Sequence, residues 1–428
     1  MNMDKITRDF LLQDDMERHI ESMSRTFDDM DFRQASKVMY PASLIMMAAL
    51  LGVFSNCQSW NEIADFAEAR LSFLQNFFPD LKTPPSHDTF RRFFCMVSTN
   101  SLENCYRSWA ACMRENLGID TLEEEEEGKK KNDERRHVAI DGKTICNALN
   151  KRAKNNRPVV KRIQEEKNAM EKLHMVSAFI VGHSLSLGQE RVEKKENEII
   201  AIPRLLDGLT LQKGDIVTID AMGCQKEIAE KIIEKQADYL LEVKDNHPTL
   251  RQDMEDAMED IGPFWTDEET KRHEEEEEGH GRIVKRTCCV CSNVYWLGRA
   301  YKQWKGIKAF GIVDNQITDK ATGEVTKERH YFITSLENDP ERILKLKKGH
   351  WGIEIGLHWQ LDVTFNEDDD RKRMNAAQNF SLLNKMALNV LKCHYHKDKK
   401  ASIKRKRMKA AWDEDYLKSL LNSYILGF

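Results

Sequence analysis

Two apolar runs in this chain end in an aspartate, and a third stretch carries a glutamate where a helix is expected. "HVAIDGKTIC" places Asp141 after Val138, Ala139 and Ile140, and "DIVTIDAMGCQ" places Asp220 after Val217, Thr218 and Ile219. A short apolar run buries as a strand, so each acid emerges at the carboxyl edge of a sheet, where α/β proteins collect ligands. Oxygen donors on neighbouring strands suit a hard divalent cation. Two such cations about 4 Å apart can activate an attacking oxygen and stabilise a leaving one, which phosphodiester chemistry requires. Aspartates at strand ends also cap turns, so the pair alone leaves catalysis and local capping as even alternatives.

The third stretch, "GHWGIEIGLHWQLDVTFNEDD", predicts a helix from about His350 to Phe365. Along it Glu354, His358 and Asp362 drift round one polar side, while Ile353, Leu357 and Leu361 follow the adjoining apolar side. Such a helix packs on a sheet and holds Glu354 at its rim. Taken alone, a helix acid is more often simply solvated, and Asp362 and Glu367 are alternates for a third carboxylate.

The elements that must position these acids follow from patterning. Residues 1–115 read as helical, with a polar amphipathic stretch at Leu11–Met30 and an apolar run at Tyr40–Phe54. That run is too short for a membrane span, which needs about 20 apolar residues, so a buried helix is expected. Ser59 is a candidate cap for the next helix, and "TPPSHDTFRRFF" turns into another that carries Arg91 and Arg92. Such a unit fits DNA binding or packing equally well. Residues 116–136 read as a charged linker. Strands follow at His137–Cys146, His174–Gly182, Ile216–Asp220 and Tyr239–Lys244, with helices at Pro203–Leu209 and Lys226–Gln236, the pattern of an α/β sheet. Arg282–Ile317 and His330–Thr334 are β-rich with no helical pattern between them, as an insertion or a sheet extension would be; the chain is helical from Pro340. The expected division is 1–115, helical and DNA-binding; 116–136, linker; 137–393, catalytic, with a β-rich insertion at about 255–335; and 394–428, a basic helical tail.

Composition adds limits. The 428 residues are 40% hydrophobic and 32% charged with a net charge of −5, so no overall basic signal points to nucleic acid. Charge comes in blocks: Glu123–Glu127 and Glu274–Glu278 are expected to be solvated loops, and Lys397–Lys409 a basic tract. The N-terminus lacks the pattern of a secretory signal, and ten scattered cysteines fit a reducing cytoplasm. Cys288, Cys289 and Cys291 lack metal-ligand spacing and read as part of a strand.

Together the motifs resemble the IS4-like DDE transposases, most closely the group of the ISAs1 element and the H-repeat-associated proteins. "WNEIADFAEAR" and "PPSHDTFRRFF" look like that group's N-terminal part. "HVAIDGKTI", "TIDAMGCQKEIAEKI", "ADYLLEVKDN", "HGRIVKR" and "HWGIEIGLHWQLDVTFNED" look like its catalytic part, in order. The resemblance implies an RNase H-like core, a mixed sheet flanked by helices, with the β-rich insertion ahead of Glu354. It implies that Asp141, Asp220 and Glu354 hold Mg2+ or Mn2+, two ions in all. The implied reaction is cleavage at the ends of an insertion element, then transfer of the freed 3′-OH into target DNA by a homodimer on DNA. The sequence departs from the broader family at Lys347, His350 and Leu361, where Tyr, Arg and Lys are usual, and from the closer group at Ile355, where Asn is usual.

Lys143 and Lys244 beside strand ends, and Arg282 and Arg286 in the β-rich part, are candidate DNA contacts. The basic tract would bind DNA without sequence preference. Reading of element ends needs base-edge contacts, expected around Arg91 and Arg92. Two other readings fit the same residues: a metal-dependent nuclease on this fold that cuts without joining, and a degenerate element product that only binds DNA. No membrane partner is expected.

Overall fold

The computed structural model describes residues 18, 20–31, 33–34, 36, 38–119, 136–145, 172–193, 196–261, 268–394 and 400–425. Most of the expected linker, with Glu123–Glu127, lies outside the described residues, as do parts of the amphipathic stretch at Leu11–Met30 and of the basic tract.

Among the described residues nine strands form one sheet: β1 His137–Ile145, β2 Leu173–Ile180, β3 Leu185–Arg191, β4 Ile216–Ile219, β5 Asp238–Val243, β6 Thr270–Gly279, β7 Arg282–Cys291, β8 Ala309–Asp319 and β9 Val325–Thr334. Their order is β3-β2-β1-β4-β5-β9-β8-β7-β6. The first three strands are antiparallel neighbours, and β4 and β5 then join parallel to β1. The parallel joins need crossovers, supplied by the helices Glu198–Gly208 and Lys226–Glu234. This is the RNase H-like arrangement within an α/β sheet. Its centre is β1, whose first four residues are buried, as its unbroken apolar run requires.

The β-rich part extends this sheet rather than forming a separate layer, because β9 pairs antiparallel with β5. The expectation of a solvated loop at Glu274–Glu278 is overturned. These residues lie in β6, paired residue for residue with β7, where Arg286 bonds Glu277 at 2.7 Å and Lys285 meets Glu274 at 3.1 Å. Charge complementarity with the neighbouring strand holds the acidic run extended.

The N-terminal helices share an apolar core with the end of the chain. Ala42–Phe54 is buried along its whole length, and Asn375–Cys393 is buried through nearly all of its own. Trp60 stacks on Phe94 at 5.1 Å and meets Phe380 edge-on at 5.2 Å. The basic tail is also largely structural. In Ile403–Trp412, Lys406 gives its ammonium to the Leu391 carbonyl, and fully buried Arg407 donates to the Val53 carbonyl at 3.0 and 2.9 Å and to the Thr364 carbonyl. Neither cation is free for an anion. Among the described residues no helix is long and apolar enough to cross a membrane.

A buried ion pair ties the N-terminal helices to the sheet. Arg114, 2% exposed, makes a two-pronged bond at 2.9 and 2.6 Å to Asp215, fully buried just before β4. Removing one partner strands a buried charge, so Arg114→Met should cost about 3–5 kcal/mol in urea denaturation. Replacing Asp215 with Leu as well should recover most of it. A single-variant loss below about 1 kcal/mol would show that the pair does not anchor β4.

Candidate metal centre and nucleic-acid face

Asp141 faces the core's functional edge because β1 alternates its side chains, and Lys143 shares that face two residues on. β1 and β4 run in register with Ile140 opposite Ile219, so Asp141 and Asp220 are the next residues of adjacent parallel strands. Asp220 leaves its strand as the cap of a short turn, accepting from Met222 N at 3.1 Å and Gly223 N at 3.3 Å through one oxygen. The local-capping reading is thus true of Asp220, and it fixes the carboxylate without using its second oxygen.

The glutamate reaches the same place on a widened helix. After Pro340–His350, the segments Glu354–His358 and Gln360–Thr364 are π-helical, with Trp359 N–H returning to the Glu354 carbonyl and Phe365 N–H to Gln360. Bonds from i to i+5 widen the turn beyond 3.6 residues, so positions four apart come closer to a line than in an α-helix. Two glycines let this helix lie against β2 and the loop after it. A Cβ at Gly352 would stand 2.6 Å from Val181, and one at Gly356 2.7 Å from the Phe179 ring.

Asp141, Glu354 and His358 offer ligand atoms that all lie within 4.8 Å of one another. His358 Nδ1 is 3.5 Å from Asp141 Oδ2 and 3.4 Å from Glu354 Oε2, and its buried Nε2 has no hydrogen-bond partner. Burial, then the carboxylates of Glu354 and Asp220, push the Asp141 carboxyl up to about 8. His358 beside Glu354 holds that carboxyl below its ordinary value. The Asp141–Glu354 pair thus retains a proton, because two acids this close resist ionising together. Burial, then the nearby Glu198 carboxylate, raise Asp220 as well, against the Gly223 amide. Hard oxygen donors with unmet negative charge are what a divalent cation fits.

The alternates go elsewhere. Asp362 lies 2.5 Å, Glu367 3.3 Å and Asp368 3.5 Å from Lys143, which is 9% exposed. Burial would lower the Lys143 ammonium, but Glu367 and Asp362 outweigh it and raise it. The expectation that Lys143 touches phosphate does not fit these contacts: three carboxylates already hold it. Glu367 is buried, and Lys385 and Lys143 keep its carboxyl low against its burial. The other candidate cations sit as follows. Lys244 is mostly exposed, 3.3 Å from Glu242; Arg286 pairs with Glu275 and Glu277; Arg91 and Arg92 flank Asp88 on an open helix face. The Arg282 backbone pairs with Gly279 and Asp319 near the far tips of β7 and β8, and its side chain is exposed.

Behind Glu354, Thr218 Oγ1 bridges His137 Nε2 at 2.7 Å and His350 Nδ1 at 2.9 Å, and burial pushes His350 down to about 4. His350 is therefore neutral near pH 7, unlike the arginine usual there. Two features escape the sequence reading. The helical pattern puts His358 only on the polar side of its helix, and its four-residue spacing from Glu354 is the signal that finds it. An exposed apolar stripe, Trp351, Ile355, Trp359 and Val363, runs beside the acids on the same helix, each more than half exposed. Its signal was four apolar residues four apart. Beyond it a cavity of about 840 Å³ opens between the N-terminal helices and residues 365–376, with Arg91, Arg92, Arg371 and Arg373 in its lining.

The RNase H-like sheet carries Asp141 within β1 and Asp220 just past the end of β4, and its class is that of enzymes acting on DNA with a divalent metal. Residues 132–390 match the Transposase DDE domain, and residues 26–110 match the DDE_Tnp_1-associated domain. The chain belongs to the DDE transposase family. It is 34% identical to the "H repeat-associated putative transposase YhhI" of Escherichia coli K12 over 91% of this chain and 95% of that one. It is also 34% identical to the "Putative transposase YncI" of Escherichia coli O157:H7, over 93% and 94%. A solved piggyBac transposase synaptic complex with hairpin DNA aligns with 94% of this chain and 79% of its own at 11% identity and a TM-score of 0.37.

The raised Asp141 carboxyl has a sign. An acid whose folded pKa is above its unfolded value favours the fold at low pH, and that contribution is lost as pH rises through the folded value. In chelator, Asp141→Asn should therefore gain in melting temperature over the parent as pH rises from about 4 to about 8. Saturating Mn2+ should stabilise the parent alone. A gap that stays flat with pH would refute the shared-proton account.

Proposed function

We propose that this chain cleaves DNA at the ends of an insertion element of the ISAs1 group and joins the freed 3′-OH to target DNA. The observation that carries the reading is the meeting of Asp141 and Glu354 around His358, with Asp220 in register on the adjacent strand. In this reading Asp141, Asp220 and Glu354 hold Mg2+ or Mn2+, with two ions in all, and Asp362 and Glu367 do not. Bound cations supply an activated attacking oxygen and a stabilised leaving one. The Met222 and Gly223 amides aim Asp220, and His358 orients the other two carboxylates.

DNA crosses the face formed by the catalytic helix and the arginine-lined cavity, where Arg91 and Arg92 contact the element end. Lys244, Arg282 and the exposed part of the basic tract add salt-sensitive contacts. The exposed tryptophans beside Glu354 meet bases next to the cut. Two ends must be brought together, so a homodimer on DNA is expected.

With element-end duplexes and Mg2+ or Mn2+, the parent should yield cut and joined products. Asp141→Asn, Asp220→Asn and Glu354→Gln should each lower both by about a thousandfold, since metal-held charge is worth several kcal/mol in the transition state. Pre-cleaved ends that are never joined would leave a nuclease, and absence of all processing by the parent would leave a DNA-binding product. Trp351→Ala with Trp359→Ala should weaken DNA binding about tenfold or more through lost stacking, with the salt slope unchanged. Unchanged affinity in gel-shift titrations would remove the stripe from the DNA face.

A further inference from the structure

Glu198 begins the helix Glu198–Gly208, far along the chain from the three acids. Its side chain is 15% exposed, and its Oε1 lies 2.6 Å from His174 Nε2. His174 is fixed in turn, with Nδ1 2.7 Å from Thr144 Oγ1 on β1. If the threonine hydroxyl donates to Nδ1, the imidazole carries its proton on Nε2 and gives it to Glu198, even when neutral. The glutamate is thus locked in place without spending its second oxygen.

The locked carboxylate sits against the catalytic strand. A Cβ at Gly142, the residue after Asp141, would stand 2.1 Å from Glu198 Oε1 and 3.0 Å from Oε2. Glycine at 142 is what makes room for the glutamate. The same helix reaches the turn that Asp220 caps: a Cβ at Gly223 would meet Ile202 at 3.1 Å. Glu198 therefore stands on the Asp220 side of β1, and its charge bears on the Asp220 carboxyl. Asp220 is outside the tight group made by Asp141, Glu354 and His358, so Glu198 is the extra negative charge on the less crowded flank.

We propose that Glu198 is a fourth carboxylate of the catalytic centre, a positioning residue locked by His174 that strengthens cation holding at Asp220. The inference rests on the metal-dependent reading of Asp141, Asp220 and Glu354. A purely structural partner of His174 would have no reason to add charge beside Asp220, which Asp141 already repels. An acid serving the cation would cost stability in the empty protein and return it on binding.

Glu198→Gln separates these, because the amide oxygen can still accept from His174 while the charge is gone. Full-length protein is titrated with Mn2+, following melting temperature and free Mn2+ by electron paramagnetic resonance. In chelator the variant should melt at or above the parent's temperature. It should need about 10–100-fold more Mn2+ for half occupancy, the usual loss when a residue supporting metal ligands is removed. Glu198→Asp should recover part of the affinity. His174→Gln, which frees the glutamate to swing, should lose part of it. A Glu198→Gln protein that binds Mn2+ as the parent does, or that loses stability in chelator, overturns the proposal. If neither the parent nor Asp220→Asn responds to Mn2+, the metal-dependent reading itself falls.

Discussion

Carboxylates held close together in a half-buried site repel, and the rest of this fold is organised around bearing that repulsion. Asp141 sits at the centre of the sheet with Glu354 beside it and Asp220 on the next strand. The energy to hold them comes from apolar burial around β1 and from the helices that cannot move once packed. Buried cations do the same work next door. Lys143 gathers Asp362, Glu367 and Asp368 two residues along β1, so that acids from the end of the widened helix are neutralised and kept from Asp141 and Glu354. The strand thus sorts one acid-rich helix into two groups by placing an aspartate and a lysine on the same face.

The helix is held from both ends. Lys392 donates to the Gly356 carbonyl at 2.6 Å, and Arg407 reaches the Thr364 carbonyl while lying over the Phe365 ring at 4.1 Å. Arg407 also holds the Val53 carbonyl, so the widened helix, the first apolar helix and the C-terminal helices form one brace. A π-turn leaves backbone strained relative to an α-helix, and such turns recur where function needs a particular alignment. Here the alignment brings Glu354 and His358 onto one acid, Asp141, while Asp362 passes on to Lys143.

Much of this was legible. The apolar runs before Asp141 and Asp220 predicted their strands to within a residue or two, because a buried parallel strand leaves a continuous apolar signature. The Ala42–Phe54 helix was equally clear from its composition. What the sequence hid were effects of partners. Glu274–Glu278 reads as a solvated run until β7 supplies Lys285 and Arg286 opposite it. Lys406 and Arg407 read as a DNA-binding tract until carbonyls near the ends of three other elements capture them. Strand β3, "LSLGQER", carries glycine and charge and gave no strand signal, yet it pairs along β2 and packs beneath the Tyr106 hydroxyl, which bonds the Ser186 carbonyl at 2.9 Å. In each case the missing information was long-range.

Gly142 shows how a local residue can carry such information. A glycine next to a strand-end acid commonly serves a turn. Gly142 lies instead within β1, paired opposite Val176, where no turn is needed. Its lack of a side chain is required by a carboxylate arriving from Glu198. The glycine and the glutamate are therefore one constraint written at two places in the chain. An alanine at 142 would have to push the glutamate away from His174 or the strand away from Asp220, so the geometry of the centre depends on an absence of atoms as much as on the acids themselves.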